Sequence, residues 1–181
     1  MPDLNDFLLD DTIGELCVEV LEAERLPKMD SGFGSADPYA IVLFEGTAAR
    51  TSTIKQSRSP QWTCGTARAF RFPVRCPYSC VYVALKDEDV VGSNEVIGRV
   101  IIELGSLYAR TQYDCWLPLA RSNLRHPGWM GAVRLRYSVC FHSNRERILG
   151  YVRPPSQPTF FMRFLKRLRA GAANPIRQSR Q

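Results

Sequence analysis

Between Val133 and Phe141 the chain alternates strictly. Val133, Leu135, Tyr137, Val139 and Phe141 take the odd positions, and Arg134, Arg136, Ser138 and Cys140 the even ones. Successive side chains of a β-strand point to opposite faces, so this is a strand with one face in a core and one in water. The alternation returns at Leu16, Val18 and Val20, at Phe70 and Phe72, and at Val81, Val83 and Leu85. Tyr39–Phe44, YAIVLF, is apolar on both faces, as a central strand is. Turn-rich stretches separate these runs: MDSGFGSADP, FEGTAAR, SRSPQW, DVVGSNE and SNLRHPGWMG. Strands at this spacing, with little amphipathic helix between them, predict an all-β, eight-stranded antiparallel Greek-key sandwich. ELGSLYAR, residues 103–110, reads as a short helical turn in a loop.

The chain has 181 residues, enough for one domain with a proper core and short for two. YAIVLF is far shorter than the roughly 20 apolar residues of a membrane-spanning helix. The first eleven residues, MPDLNDFLLDD, are acidic and do not form a signal peptide pattern. Cys17, Cys64, Cys76, Cys80, Cys115 and Cys140 are scattered through the strand pattern, which predicts reduced, buried thiols and a cytoplasmic setting. With only His126 and His142 in the chain, Cys76 and Cys80 are not read as a zinc site.

The net charge of +6 is unevenly spread. Residues 144–181 hold nine arginines and lysines against Glu146 alone, which leaves a slightly acidic body and a strongly basic tail. Four regions are expected: an arm over 1–12, the sandwich over 13–143, a proline-rich linker or strap over 144–158, and a basic amphipathic helix with a disordered end over 159–181. In FFMRFLKRLRA, residues 160–170, Phe161, Phe164, Leu165 and Leu168 share a helical face, beside Arg163, Lys166, Arg167 and Arg169. Such a helix suits the surface of an anionic membrane. No nucleic-acid motif accompanies the basic residues, so no specific nucleic-acid partner is expected.

The acids of the body cluster in two turns. KDEDVVGSNE, residues 86–95, carries Asp87, Glu88, Asp89 and Glu95, and Asp30 and Asp37 bracket a glycine-rich turn. Calcium takes six to eight oxygen ligands, mostly carboxylates and carbonyls. In an extended segment Asp87 and Asp89 point the same way, and the turn that follows can return Glu95 to close a site. An EF-hand is ruled out: counted from Asp87, the fifth position is Val91 and the twelfth Gly98.

The segments LPKMD…ADPYA, SRSPQW and KDEDVVGSNEVIG together resemble the C2 domain family over roughly residues 13–141. The order of segments resembles the permuted form, with GELCVEVL first and WLPL and GAVRLRYSV last, as in C2 domains of multi-C2 membrane-tethering proteins. The resemblance implies a calcium site built from the carboxylates of Asp30, Asp37, Asp87, Asp89 and Glu95, with backbone carbonyls near Met29 and Glu88. Glu95 stands where aspartate is usual. It also implies that these loops face a bilayer, which places Phe33, Val90 and Val91 at the tips that insert. The strands that carry a lysine-rich phosphoinositide site in some members hold only Arg50 and Lys55, so no strong site is expected there.

The chain has no G-x-S-x-G, H-E-x-x-H or P-loop. CFHSNR, residues 140–145, lacks a glycine-rich phosphate cradle. The expectation is a non-catalytic module with calcium as cofactor, peripherally bound to anionic phospholipid membranes in the cytoplasm. The alternatives are a calcium-independent scaffold for a protein partner and a targeting fragment of a larger lipid-handling protein.

Overall fold

The computed structural model describes residues 12–28, 36–88, 95–120, 130–145 and 147–148. Among these, eight strands form two four-stranded sheets: β1 (Gly14–Glu24), β2 (Pro38–Phe44), β3 (Thr47–Arg50), β4 (Ala69–Val74), β5 (Cys80–Asp87), β6 (Val96–Glu103), β7 (Tyr113–Pro118) and β8 (Ala132–Phe141). One sheet has the order β4-β1-β8-β7 and the other β3-β2-β5-β6. Every pairing is antiparallel. The expected antiparallel sandwich, opened by GELCVEVL and closed by the WLPL and GAVRLRYSV strands, is the fold observed. The expected basic helix at 159–181 lies outside the described residues.

The alternating positions converge between the sheets. Leu16, Val18 and Val20 of β1, Val133, Leu135 and Val139 of β8, and Ala40, Val42 and Phe44 of β2 are all buried in one core with Val81, Val83 and Leu85. β2 lies inside its sheet, between β3 and β5, with Ala40, Val42 and Phe44 buried and Ile41 and Leu43 half-buried on the other face. ELGSLYAR contains a single 3-10 turn, Leu104–Ser106.

Two motif residues act as packing devices. Trp62, from SRSPQW, is buried, and its indole N–H donates to the Ser52 carbonyl at 2.7 Å. Its backbone N–H donates to the Leu21 carbonyl at 2.8 Å, which straps the 57–62 segment across β1. Buried indoles need such a partner, because an unmet N–H in a core costs free energy. Gly98 sits where a Cβ would come within 2.8 Å of the Leu119 Cβ, so β6 can pass the 119–120 segment only with glycine there.

All six cysteines are free thiols. Cys76 and Cys80 are buried as expected, and Cys17 and Cys115 partly so. Cys64 and Cys140 correct the expectation by being exposed. Cys64 lies in a turn outside the strands, and Cys140 takes an even, water-facing position of β8 between buried Val139 and Phe141.

Candidate functional site

Asp37 and Asp87, which end one acidic turn and open the other, meet because β2 and β5 run antiparallel, with Pro38 opposite Asp87. The chain entering β2 and the chain leaving β5 therefore lie at one end of the sandwich. The pairing continues past the strands: Glu88 N–H donates to the Asp37 carbonyl at 3.0 Å, and Asp87 N–H to the Glu95 carbonyl at 2.9 Å.

Asp87 keeps the inward phase of Val81, Val83 and Leu85, so its carboxylate caps the core and is only 2% exposed. Its Oδ1 accepts the Asp37 backbone N–H at 2.6 Å, and its Oδ2 is shielded from solvent. That bond ties the entry to β2 to the end of β5. The Asp37 Oδ1 in turn accepts the Gln56 backbone N–H at 2.7 Å.

Two cations reach this end from across the sheet. Past β3 the chain follows β2 through Thr51 N–H to Ala40 O at 2.9 Å, Ile54 N–H to Pro38 O at 3.0 Å and Ser57 N–H to Ala36 O at 2.8 Å. This carries Lys55 to the acids. Its Nζ lies 3.1 Å from Asp37 Oδ2 and 2.9 Å from Glu88 Oε2. Arg50 donates to the other Glu88 oxygen. It also donates to the Thr53 hydroxyl at 2.8 Å and stacks over the Tyr39 ring, 3.9 Å from its centroid. Donation from Lys55 and then Arg50 holds the Glu88 carboxyl down at about 2, and Glu88 and then Asp37 raise the Lys55 ammonium above its ordinary value.

Of the expected calcium ligands, the structure brings Asp37 and Asp87 into one bonded unit. Glu95 contributes its backbone carbonyl to that unit, and its side chain is exposed. Among the described residues no three His, Cys, Asp or Glu side chains converge as a metal cage. Asp30, Met29 and Asp89 lie outside the described residues, as do Phe33, Val90 and Val91 at the expected tips and Arg163, Lys166, Arg167 and Arg169 in the tail. The Glu88 side chain, as distinct from its carbonyl, was not expected at the site, nor were Lys55 and Arg50. Lys55 stands 18 residues from Asp37 and 33 from Glu88, and no local pattern links positions so far apart.

The donor set suits a hard cation. Asp37 and Asp87 offer carboxylate oxygens, the two residues being joined by the 2.6 Å bond from the Asp37 backbone N–H to Asp87 Oδ1, with Asp87 Oδ2 shielded from solvent. Calcium prefers such ligands, and neither thiol nor imidazole is needed.

Comparison with known proteins agrees with this architecture. The sequence profile of the C2 domain matches residues 14–119. Ras GTPase-activating protein 4B of Homo sapiens is 29% identical over 121 residues, which is 64% of this chain and 14% of that protein. Multiple C2 and transmembrane domain-containing protein 1 of Rattus norvegicus is 32% identical over 131 residues, 72% of this chain and 13% of that protein. The chain thus spans only about a seventh of these relatives. A C2 domain of plant Extended Synaptotagmin 1 superposes with a TM-score of 0.64 at 20% identity, covering 74% of this chain and 98% of that domain. With the strand order, the paired acidic turns and the profile match in agreement, the chain belongs to the C2 domain family.

Proposed function

We propose that this chain is a non-catalytic, calcium-dependent module that docks on anionic phospholipid membranes. The observation that carries the reading is the Asp37–Asp87 unit at the loop end, with the Asp87 carboxyl group buried and bonded to the Asp37 backbone N–H. A carboxylate kept at the end of a core is costly unless a cation or hydrogen bonds compensate it. Asp37 and Asp87 would hold calcium together with Asp30, Asp89 and Glu95 and the carbonyls near Met29 and Glu88. The bound ion would supply positive charge that neutralises the loops and bridges to lipid phosphates. Phe33, Val90 and Val91 would then enter the interface. Arg163, Lys166, Arg167 and Arg169 would add a second, electrostatic contact from the 159–181 tail, beyond a strap over 144–158. Association would be peripheral, on a cytoplasmic face. Among the described residues no helix is long and apolar enough to cross a membrane.

One observation favours a second reading. Lys55 and Arg50 already supply positive charge to Asp37 and Glu88. A loop end neutralised from within suits a calcium-independent scaffold for a protein partner. Co-sedimentation of the 181-residue chain with phosphatidylserine vesicles, in calcium and in chelator, separates the two. The expected result is binding in calcium alone, lost in Asp87→Asn/Asp89→Asn. Equal binding in both conditions would move the contact to the basic tail, and no binding in either would favour the scaffold.

A further inference from the structure

The ammonium of Lys55 bridges the carboxylates of Asp37 and Glu88. Its Nζ is shared between Asp37 Oδ2 at 3.1 Å and Glu88 Oε2 at 2.9 Å. Of the four aspartate oxygens in the Asp37–Asp87 unit, two accept backbone N–H groups, from Gln56 and from Asp37. The Asp37 oxygen left over is the one that Lys55 holds.

We infer that Lys55 is a tethered counter-cation that competes with a divalent metal for Asp37, and so sets the metal affinity of the site. This rests on the calcium reading above and adds the residue that tunes it. Three features support it. A metal bonds a carboxylate oxygen at about 2.3–2.6 Å, so a metal sharing Asp37 Oδ2 with an ammonium 3.1 Å away would stand no more than about 5.7 Å from it. That separation is shorter than the roughly 8 Å screening length at physiological salt, so about half of the repulsion between the two cations survives the salt. The Lys55 side chain is 59% exposed, so it can leave the carboxylates for water without opening the core. Arg50 remains on the other oxygen of Glu88, anchored by Thr53 and the Tyr39 ring, and keeps Glu88 in place when Lys55 departs. The competition therefore needs one side chain to swing, with no change of fold.

The test is calorimetric titration of calcium into the wild-type chain and the Lys55→Met, Lys55→Arg and Lys28→Met variants. Each protein is also melted in chelator and in saturating calcium. Lys28 is exposed, lies nine positions before Asp37 in the sequence, and controls for loss of one positive charge. Lys55→Met is expected to bind calcium at least fivefold more tightly than wild type, with Lys28→Met and Lys55→Arg within twofold of it. The Lys55→Met melting temperature should fall below wild type in chelator and rejoin it in calcium, because the metal replaces the missing ammonium. Equal affinity gains in Lys55→Met and Lys28→Met would overturn the inference in favour of general electrostatics. A melting deficit of the same size in both conditions would also overturn it, making Lys55 a purely structural partner. If wild type and Lys55→Met bind calcium equally, the inference falls and the calcium reading stands. If only Lys55→Met binds, the inference stands and the native chain is calcium-independent. If neither binds, both fall.

Discussion

At the scale of single residues, a buried carboxylate and a buried indole perform opposite tasks. Asp87 continues the inward alternation of Val81, Val83 and Leu85, yet its side chain ends in a carboxyl group. The hydrogen bond from Asp37 turns that liability into a link between the two acidic turns. Trp62 instead closes the core with a large apolar ring and satisfies its one donor at Ser52. Gly98 shows how tight the packing around these residues is. A methyl group there would stand 2.8 Å from Leu119 Cβ and 3.4 Å from Met130 Cβ. Gly98→Ala is therefore expected to cost about 1–3 kcal/mol, the usual range for overpacking a filled core. Urea unfolding should show a lower midpoint with an unchanged slope. Gly65→Ala, where nothing lies within 4 Å of the added methyl, should leave the midpoint almost in place. The segment KDEDVVGSNEVIG was legible in the sequence, but the reason for its final glycine, Gly98, was not, because Leu119 and Met130 lie more than 20 positions further along the chain.

At the scale of elements, the water-facing side of β1, β8 and β7 is held by a charge lattice that follows the strand register. Asp114 lies opposite Arg136, and Trp116 opposite Arg134. Glu19 lies opposite Arg136, and Glu22 opposite Arg134. Arg134 donates to Asp114 Oδ1 at 2.7 Å and to Glu22 Oε1 at 2.9 Å, and Arg136 to Asp114 Oδ2 at 3.1 Å and to Glu19 Oε2 at 2.9 Å. Cross-strand pairs of this kind reinforce a sheet and fix its register. Donation from Arg134, with further help from Arg136, holds the Asp114 carboxyl below the usual aspartate value. A lowered carboxyl stabilises the fold above its unfolded value and loses that contribution as pH falls through its folded value. Asp114→Asn should thus melt below wild type at about pH 6, where the carboxylate is ionised in both states. The gap should close as the pH drops below the ordinary aspartate value of 3.8. A gap of constant size across that range would show that shape, and not charge, is what Asp114 contributes. The alternation of β8 announced its outward arginines, but their partners follow from the sheet order β4-β1-β8-β7, which the chain reaches only by crossing between sheets.

At the scale of the whole molecule, the fold concentrates acids at one end of the sandwich, and the sequence appends a basic tail. Under the proposed docking, Val90 and Val91 enter the lipid interface while calcium holds the acids beneath them. Val90→Ser/Val91→Ser is expected to weaken calcium-dependent vesicle binding by at least tenfold, because burying each valine is worth roughly 1.5–3 kcal/mol. Calcium affinity without lipid should stay within twofold of wild type, and unchanged vesicle affinity would remove these valines from the interface. What the sequence by itself determined is the class of the molecule: period-two alternation dictates strands, turn residues space them, and acids gather in two of the turns. These are local properties, set by how each residue meets its near neighbours along the chain. Only the tertiary structure decided that Asp87 caps the core, that Asp37 is tied to it at 2.6 Å, and that Lys55 and Arg50 stand among the acids. The reason is geometric: antiparallel pairing of β2 with β5, and the run of chain beyond β3 along β2, bring together side chains 18 to 50 residues apart, and such contacts leave no local trace in the sequence.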